Sequence, residues 1–583
     1  MGTRGKRIYL NLVFITFSVL GISRPADMCD SVHWGSTDIR YTGNCSELTD
    51  DDEVAQTASV KAWRGEEIDL QAVFATSGGI DSLMIRPGKL VSGKSVIPES
   101  AVMSGFVGYV MTDGLNKDGS GGCGFRINSD YDSSYVADPI DFDASSIKVA
   151  KNSRQPVWIK IKVPEDAVPG TYSGKILFAD GDDPISSLSI ELEVSGRALP
   201  EENVFHLDLW QNPYSVARYF NVEPFSSEHF EFMRPTMQQY ADAGGKVITT
   251  SIIHKPWNGQ TYDPFESMVT WLKKADGTWW FDYTVFDMWV EFMLSLGVDE
   301  QINCYSMIPW RLSFQYFDQA SNSFRYLAAE PGDPEYEEFW SAMLHSFSAH
   351  LRDNGWFDIT MIAMDERPME HMLAAIEVIK NADPEFKISF AGKYHDELLD
   401  SVDDYCIPIE DSYPCGTAVR RRKAGKMTTC YTSCAESWPN TFTFSHPAEA
   451  EWIGWYMAAR GLDGYLRWAF NSWPADPMHD SRFTSWAAGD TYLVYPGGVS
   501  SIRFEKLKAG ITAYRKISAL EAEFLLTGNS NGLEAIDKLL SMFVYPDTEM
   551  MREITDASSD KDLASDTLVE ARKILDSLSF DYQ

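Results

Sequence analysis

Basic residues are scarce in this 583-residue chain: 50 Lys and Arg stand against 85 Asp and Glu, a formal net charge of −35. So acidic a protein repels phosphate backbones and anionic membrane surfaces, which excludes nucleic acid as a partner and suits a neutral or weakly polar ligand. Acidity also serves simply to keep a protein soluble. Cysteine is sparse too, with eight residues at positions 29, 45, 123, 304, 406, 415, 430 and 434. That is too few for a disulfide scaffold in a chain of this length, and leaves room for one or two bridges at most. Cys430 and Cys434 have a CxxxC spacing, but no second ligand pair accompanies them, so zinc is not expected, nor any other metal or cofactor. After residue 22 no apolar run is long enough to span a bilayer. There is no internal repeat and no low-complexity tract. Hydrophobic residues at 44% and charged residues at 23% exclude disorder.

Aromatic rings, by contrast, are plentiful: 18 Trp, 26 Tyr and 32 Phe. Core packing absorbs many of these, but Trp-rich clefts also suit sugars, whose apolar C–H faces stack on rings. The N-terminus carries an address. Arg4, Lys6 and Arg7 precede an apolar stretch from Ile8 to Ile22, and Gly21-Ile22-Ser23 has the small residues of a cleavage site. Residues 1–23 are therefore expected to be a signal peptide, and the protein to be exported to the periplasm, the cell surface or the medium.

Two rhythms follow. Residues 24–202 hold short alternating segments, such as Trp158-Ile159-Lys160-Ile161-Lys162-Val163, punctuated by Gly, Asp and Pro. This is the pattern of an antiparallel β-sandwich. Over residues 203–502, apolar strands alternate with helical stretches. Strands are expected at Phe205–Trp210, Val247–Ile253, Ile302–Met307, Ile359–Met364, Ile388–Ala391, Tyr405–Ile409, Met427–Tyr431 and Tyr465–Phe470. Eight such units predict a (β/α)8 TIM-type barrel. Between strands three and four, Phe339, Met343, Phe347 and Leu351 mark one face of a helix that ends before Gly355. Residues 503–583 read as a helical extension on the barrel's outside. Arg420-Arg421-Arg422-Lys423 reads as a solvated helix face.

Active sites of such barrels lie at the C-terminal ends of the strands. There the sequence places His254 after strand two, Asp365-Glu366 after strand four, Tyr394 after strand five, Tyr413 after strand six, Trp438 after strand seven, and Asn471 and Trp473 after strand eight. Each also has a plainer reading: a turn cap for His254, loop anchors for the tryptophans, and an N-cap pair for Asp365-Glu366 before the helix that follows Pro368. The carboxylate pair is the most pointed feature, because ionisable groups closing a buried apolar strand are costly unless paired or used.

Adjacent carboxylates do not suit the usual glycosidase, in which two carboxyls flank the sugar about 5–5.5 Å or about 6.5–9.5 Å apart. They suit a mechanism in which one protonates the glycosidic oxygen and the other sits beside the C2 substituent. If that substituent is an acetamido group, its carbonyl oxygen attacks C1 and gives an oxazoline-type intermediate. The acid must begin protonated, which partial burial and a charged neighbour favour. Both side chains reach one sugar only if the strand has begun to bend at Asp365, since consecutive strand residues point to opposite faces.

Met364-Asp365-Glu366-Arg367-Pro368 resembles the catalytic segment of glycoside hydrolase family 123. Gly464-Tyr465-Leu466-Arg467-Trp468-Ala469-Phe470-Asn471-Ser472-Trp473 is similar to that family as well. So are Gly489-Asp490-Thr491-Tyr492-Leu493-Val494-Tyr495-Pro496-Gly497-Gly498 and Ser501-Ile502-Arg503-Phe504-Glu505. The resemblance covers nearly the whole mature chain. It implies an exo-acting, retaining β-N-acetylgalactosaminidase that removes terminal β-GalNAc from glycolipid-type or other glycans by substrate assistance. Asp365 would orient the acetamido group and Glu366 would be the general acid/base. The mechanism also calls for a tyrosine on the acetamido oxygen, for which position suggests Tyr394 and then Tyr413. Trp438, Trp473, Asn471 and His254 are pocket candidates from position. Two other readings stand beside this one. One is a conventional two-carboxylate glycosidase pairing Glu366 with Glu436 or Glu410. The other is a non-catalytic glycan-binding surface protein.

Overall fold

The computed structural model describes residues 31–45, 55–131, 133–555 and 562–581. The expected signal peptide and Cys29 lie outside these.

The N-terminal part is two β-sheets around one apolar core. The first sheet runs Ser31–Gly35, Glu67–Thr76, Ser153–Lys162, Val102–Thr112, Ser134–Asp141. The second runs Thr57–Arg64, Asp183–Ala198, Gly170–Asp180, Ile80–Pro87, Ile147–Val149. Phe74 of one sheet stacks on Phe178 of the other at 6.4 Å. One departure from the antiparallel expectation is at an edge, where Thr57–Arg64 runs parallel to Asp183–Ala198. The alternation around Trp158 is real, but its second face is not solvent. Val157, Ile159 and Ile161 enter the sandwich core, while Trp158 packs with Ile502 from the far end of the chain and Lys160 Nζ donates to Glu505 at 2.5 Å. Ser500–Ser501 even adds a short strand to this sheet, paired with Pro139 and Ile140.

The eight expected parallel strands are all present: β1 (His206–Leu209), β2 (Val247–Ser251), β3 (Gln301–Tyr305), β4 (Thr360–Asp365), β5 (Lys387–Ala391), β6 (Asp404–Pro408), β7 (Met427–Thr432) and β8 (Gly464–Arg467). They form one sheet in the order β1-β8-β7-β6-β5-β4-β3-β2, a nearly closed barrel. The seam between β1 and β2 is held by a lone bridge, Leu207 to Gly245. A side chain completes it: Gln211 Oε1 accepts from the Thr249 amide at 2.9 Å. The strands carry more polar residues than pure apolar runs would, and these pair inside the barrel. Gln301 Nε2 and Ser389 Oγ donate to Asp404 at 2.9 and 3.2 Å, which removes most of the cost of burying them.

Helix Pro334–Asn354 buries Phe339, Met343, Phe347 and Leu351 and ends at Gly355 in the left-handed region, the conformation glycine adopts at least cost. The helix that follows β8 is Ile502–Thr527. It crosses helix Pro447–Arg460 so closely at Gly454 and Gly510 that neither position has room for a Cβ. Ser530–Leu540, Thr548–Thr555 and Leu563–Asp581 complete the helical C-terminus. Among the described residues no helix is long and apolar enough to cross a membrane.

Three features were not anticipated. Two hairpins after β2 and β3 join into a four-stranded sheet in the order Trp279–Asp282, Thr270–Lys273, Ser313–Asp318, Ser323–Ala328. Cys123 and Cys434 form a disulfide between the N-terminal part and the loop after β7. In the basic run, Arg421 is buried and donates to the carbonyls of Leu399, Val402, Asp403 and Met427. It staples the β6 and β7 connections, whereas Arg420 and Lys423 are exposed as expected.

Candidate active site

β4 stays paired through Asp365, which lies opposite Ala391 of β5, and the chain bends at Glu366. The turn thus comes one residue later than expected. Asp365 keeps the inward orientation of Ala363, two residues earlier on the strand. Glu366, released from the strand's alternation, turns without having to face the opposite side. The helix Met369–Ala382 starts after Pro368 with no side-chain cap, so the pair does not serve as its N-cap.

The two carboxylates have different surroundings. Asp365 Oδ2 accepts from Trp310 Nε1 at 2.8 Å and from Arg367 Nη2 at 3.3 Å. Its Oδ1 faces the same guanidinium at 3.2 Å and takes no hydrogen bond. Burial raises the Asp365 carboxyl above its ordinary range, with Arg367 and Trp310 acting against that rise. Arg367 is itself fixed, its Nε donating to the Ile308 carbonyl at 2.9 Å. Glu366 is exposed and accepts from the Tyr431 hydroxyl of β7 at 2.7 Å. Burial, and then the Glu366 carboxylate, hold the Tyr431 phenol far above its usual range. The partial burial expected of Glu366 is therefore corrected: it falls on Asp365. Beside Glu366, a Cβ on Gly392 would lie 3.0 Å from Glu366 Cγ, so the absence of a side chain there makes the glutamate's room.

Under the pair lies a ring of aromatic residues. Ala363, Ala391, Cys406 and Leu466 from β4, β5, β6 and β8 are packed with Trp210, Trp257, Phe265 and Tyr305, bordered by Tyr214, Tyr431 and Trp468. Trp210 stacks on Trp257 at 4.8 Å and meets Tyr305 at 4.5 Å. Small residues on the strands meet large rings from the loops, so the barrel mouth beneath the pair is a packed aromatic floor with a few fixed polar groups above it.

The other expected site residues fare differently. The Tyr394 hydroxyl donates to Asp396 at 2.6 Å and its ring packs on Tyr405 and Tyr413. The Tyr413 hydroxyl donates to the Tyr405 carbonyl at 2.6 Å. Both phenols are thus engaged away from the pair, and the tyrosine found there is Tyr431. Trp438 is buried against Trp452. Trp473 is fully buried, its Nε1 donating to the Val494 carbonyl at 2.7 Å. Asn471 is buried and ties the β8 loop to the β1 loop, accepting from the Asn212 amide at 2.8 Å and donating to the Asn212 carbonyl at 2.9 Å. These three are loop anchors. His254 sits on the β2 loop in contact with Glu266 at 2.6 Å. Of the carboxylates offered as second partners, Glu436 is buried and accepts from the Ser433 amide and hydroxyl at 2.7 and 3.0 Å, and Glu410 is exposed.

Trp310, Tyr431, Trp210, Tyr305 and Trp468 escaped sequence reasoning, whereas Trp257 was expected beyond the end of strand two. Tyr431 was within reach, being the last residue of the expected seventh strand. Arg367 stood in the Asp-Glu segment without a role. Trp310 belongs to a loop with no motif.

Comparison with known proteins identifies a family and a fold. The model described as glycoside hydrolase 123, catalytic domain, matches residues 210–520, and the glycoside hydrolase 123 N-terminal domain model matches residues 34–180. A solved family 123 glycoside hydrolase from Clostridium perfringens, studied for glycolipid glycan hydrolysis, superposes with a TM-score of 0.82 at 27% identity, over 94% of this chain and 97% of that one. A family 39 glycoside hydrolase from Bacteroides cellulosilyticus gives a TM-score of only 0.32 at 11% identity, over 78% of this chain and 81% of that one. No curated protein matches the chain. With more than half of its length matched by the catalytic model alone, the chain belongs to glycoside hydrolase family 123.

Proposed function

We propose that the protein is an exported, exo-acting, retaining β-N-acetylgalactosaminidase that removes terminal β-GalNAc from glycolipid-type glycans by substrate assistance. The observation that carries this reading is the unequal fixing of two adjacent carboxylates. Asp365 is held from two sides by Trp310 and Arg367 yet retains acceptor capacity, since a carboxylate has about four lone-pair sites. It is suited to take the acetamido N–H and to balance the positive charge that develops as the amide oxygen attacks C1. Glu366, exposed at the mouth and supported by Tyr431, is suited to protonate the leaving oxygen and then to activate water. Tyr431 is also the phenol placed to turn toward the acetamido oxygen once substrate is bound. The glycolipid glycan hydrolysis for which the Clostridium perfringens relative was studied suggests the substrate class.

The test is hydrolysis of aryl β-GalNAc glycosides. Glu366→Gln should lose about 100- to 10,000-fold in kcat on a poor leaving group and much less on one that needs no protonation. Asp365→Asn should be severely impaired on both. A GalNAc thiazoline should inhibit competitively. Equal turnover of substrates lacking the 2-acetamido group, or a covalent adduct with a 2-fluoro sugar, would sink the assisted mechanism in favour of the conventional one.

A further inference from the structure

The four-stranded sheet above β2 and β3 has two unlike faces. Trp271, Trp279, Phe314 and Tyr316 turn inward onto Phe339 and Trp340 of helix Pro334–Asn354. On the opposite face the register aligns Trp280 with Leu272, Leu272 with Phe317, and Phe317 with Phe324. This is one apolar row across all four strands, with the Phe317 and Phe324 rings edge to face at 5.5 Å. Tyr326 lies in the next row, opposite Gln315. The row faces outward: Trp280 is 44%, Phe324 62% and Tyr326 59% exposed. Thr270, Ser313 and Ala328 fill out the same face by alternation, and its one charged member is Asp282 at the edge, which accepts from the Thr284 amide and hydroxyl. An uncharged aromatic face on a chain of net charge −35 is conspicuous, because exposed apolar patches mark contact sites.

Its position bears on the catalytic pair. Trp310 donates to Asp365, and the strand Ser313–Asp318 begins three residues later. Phe317 therefore lies within about 24 Å of Trp310 along the chain, a reach that a short oligosaccharide head group spans.

We infer that this face rests on a zwitterionic lipid surface and so holds the enzyme over membrane-borne glycolipid. The inference rests on the proposed glycolipid-type substrate. Three considerations select this occupant. A sugar platform needs hydrogen-bonding groups beside its rings, and here the amide and phenol on the face are already bonded to each other, Gln315 Nε2 donating to Tyr326 Oη at 2.6 Å. A second copy of the chain needs about 800 Å² per partner, whereas the exposed parts of Trp280, Phe324 and Tyr326 together offer on the order of 300–400 Å². Rings of Trp, Tyr and Phe favour the membrane interface, and the chain's acidity excludes an anionic one.

The test compares the full chain with Trp280→Ser/Phe324→Ser, two exposed positions outside the catalytic site. Wild type should sediment with phosphatidylcholine vesicles and not with phosphatidylserine vesicles, and the double variant should bind about tenfold less or weaker still. Hydrolysis of a soluble nitrophenyl β-GalNAc should be equal in both, while hydrolysis of a β-GalNAc-terminated glycolipid in vesicles should fall about tenfold with the loss of binding. Absence of vesicle binding by wild type, or unchanged binding by the variant, overturns the inference. So does an equal loss on the free oligosaccharide, which would make the face a glycan platform, or a wild-type dimer that the variant abolishes. A wild type inactive on the soluble glycoside that still binds vesicles would refute the proposed function and leave the lipid contact standing.

Discussion

The hydroxyl of Tyr431, at the end of β7, reaches Glu366 at the end of β4 and donates to its Oε1 at 2.7 Å. β4 and β7 are not neighbours in the sheet, so this bond fixes the glutamate from across the barrel mouth. A hydrogen bond to a charged group contributes about 1.5–3 kcal/mol. Tyr431→Phe is therefore expected to lower kcat about 10- to 100-fold on aryl β-GalNAc with little change in KM. A loss confined to KM would show the tyrosine to be only a binding group.

Trp310 acts on the other carboxylate. Burial raises the Asp365 carboxyl, and the Trp310 bond is one of the interactions that resist this. On the proposed mechanism Asp365 is ionised when it steadies the acetamido group, so activity is expected to fall as pH drops through its titration. Trp310→Phe removes a lowering interaction, and the acidic limb of the kcat/KM profile should move to higher pH. An unmoved limb would detach that limb from Asp365.

Gly392 supplies room. A methyl group there would lie 3.0 Å from Glu366 Cγ and 2.5 Å from the Phe390 ring. Gly392→Ala should displace the glutamate and cost about tenfold or more in kcat, since small misplacements of a catalytic group are expensive. Thermal unfolding should show a loss of about 1–3 kcal/mol as well, because the buried Phe390 ring must also shift.

Away from the site, Asp38 accepts from Lys506 at 2.6 Å and from Arg572 at 2.8 and 2.9 Å. Burial pushes its carboxyl up, but the two cations more than offset this and the net shift is downward. A carboxyl with a depressed folded-state value stabilises the fold above its unfolded value, about 3.9, and loses that contribution as pH falls through the folded one. Asp38→Asn should be less stable than wild type by about 3–5 kcal/mol at neutral pH, with the gap closing below about pH 4. Urea unfolding across pH measures it.

The barrel was legible because short, largely apolar segments alternate with helical stretches, and length and flanking residues decide such cases. The pair Asp365-Glu366 was legible because charge at the end of a buried strand is costly. The remaining site residues were not, for a geometric reason. Residues just past a strand end divide between the aromatic floor beneath the pair and the packing beneath the loops, and composition does not separate them. Trp473 and Asn471 went to packing, while Trp468 borders the floor. Tyr394 lies in the loop after β5 and Tyr431 near the end of β7, and only the inward phase of β7 brings a phenol to Glu366. The accessory sheet was missed because its short strands sit inside what reads as two loops.

The ion cluster around Asp38 has a consequence for how the chain is made. Asp38 and Arg572 are 534 residues apart, and Glu451 takes Arg572 as well, at 2.8 Å. An N-terminal segment emerging from the ribosome at about 5–20 residues per second waits roughly half a minute or longer for that partner. Until helix Leu563–Asp581 is synthesised, the Asp38 carboxylate has no guanidinium to receive it. A chain lacking this helix would leave the Asp38 and Glu451 carboxylates without the Arg572 guanidinium.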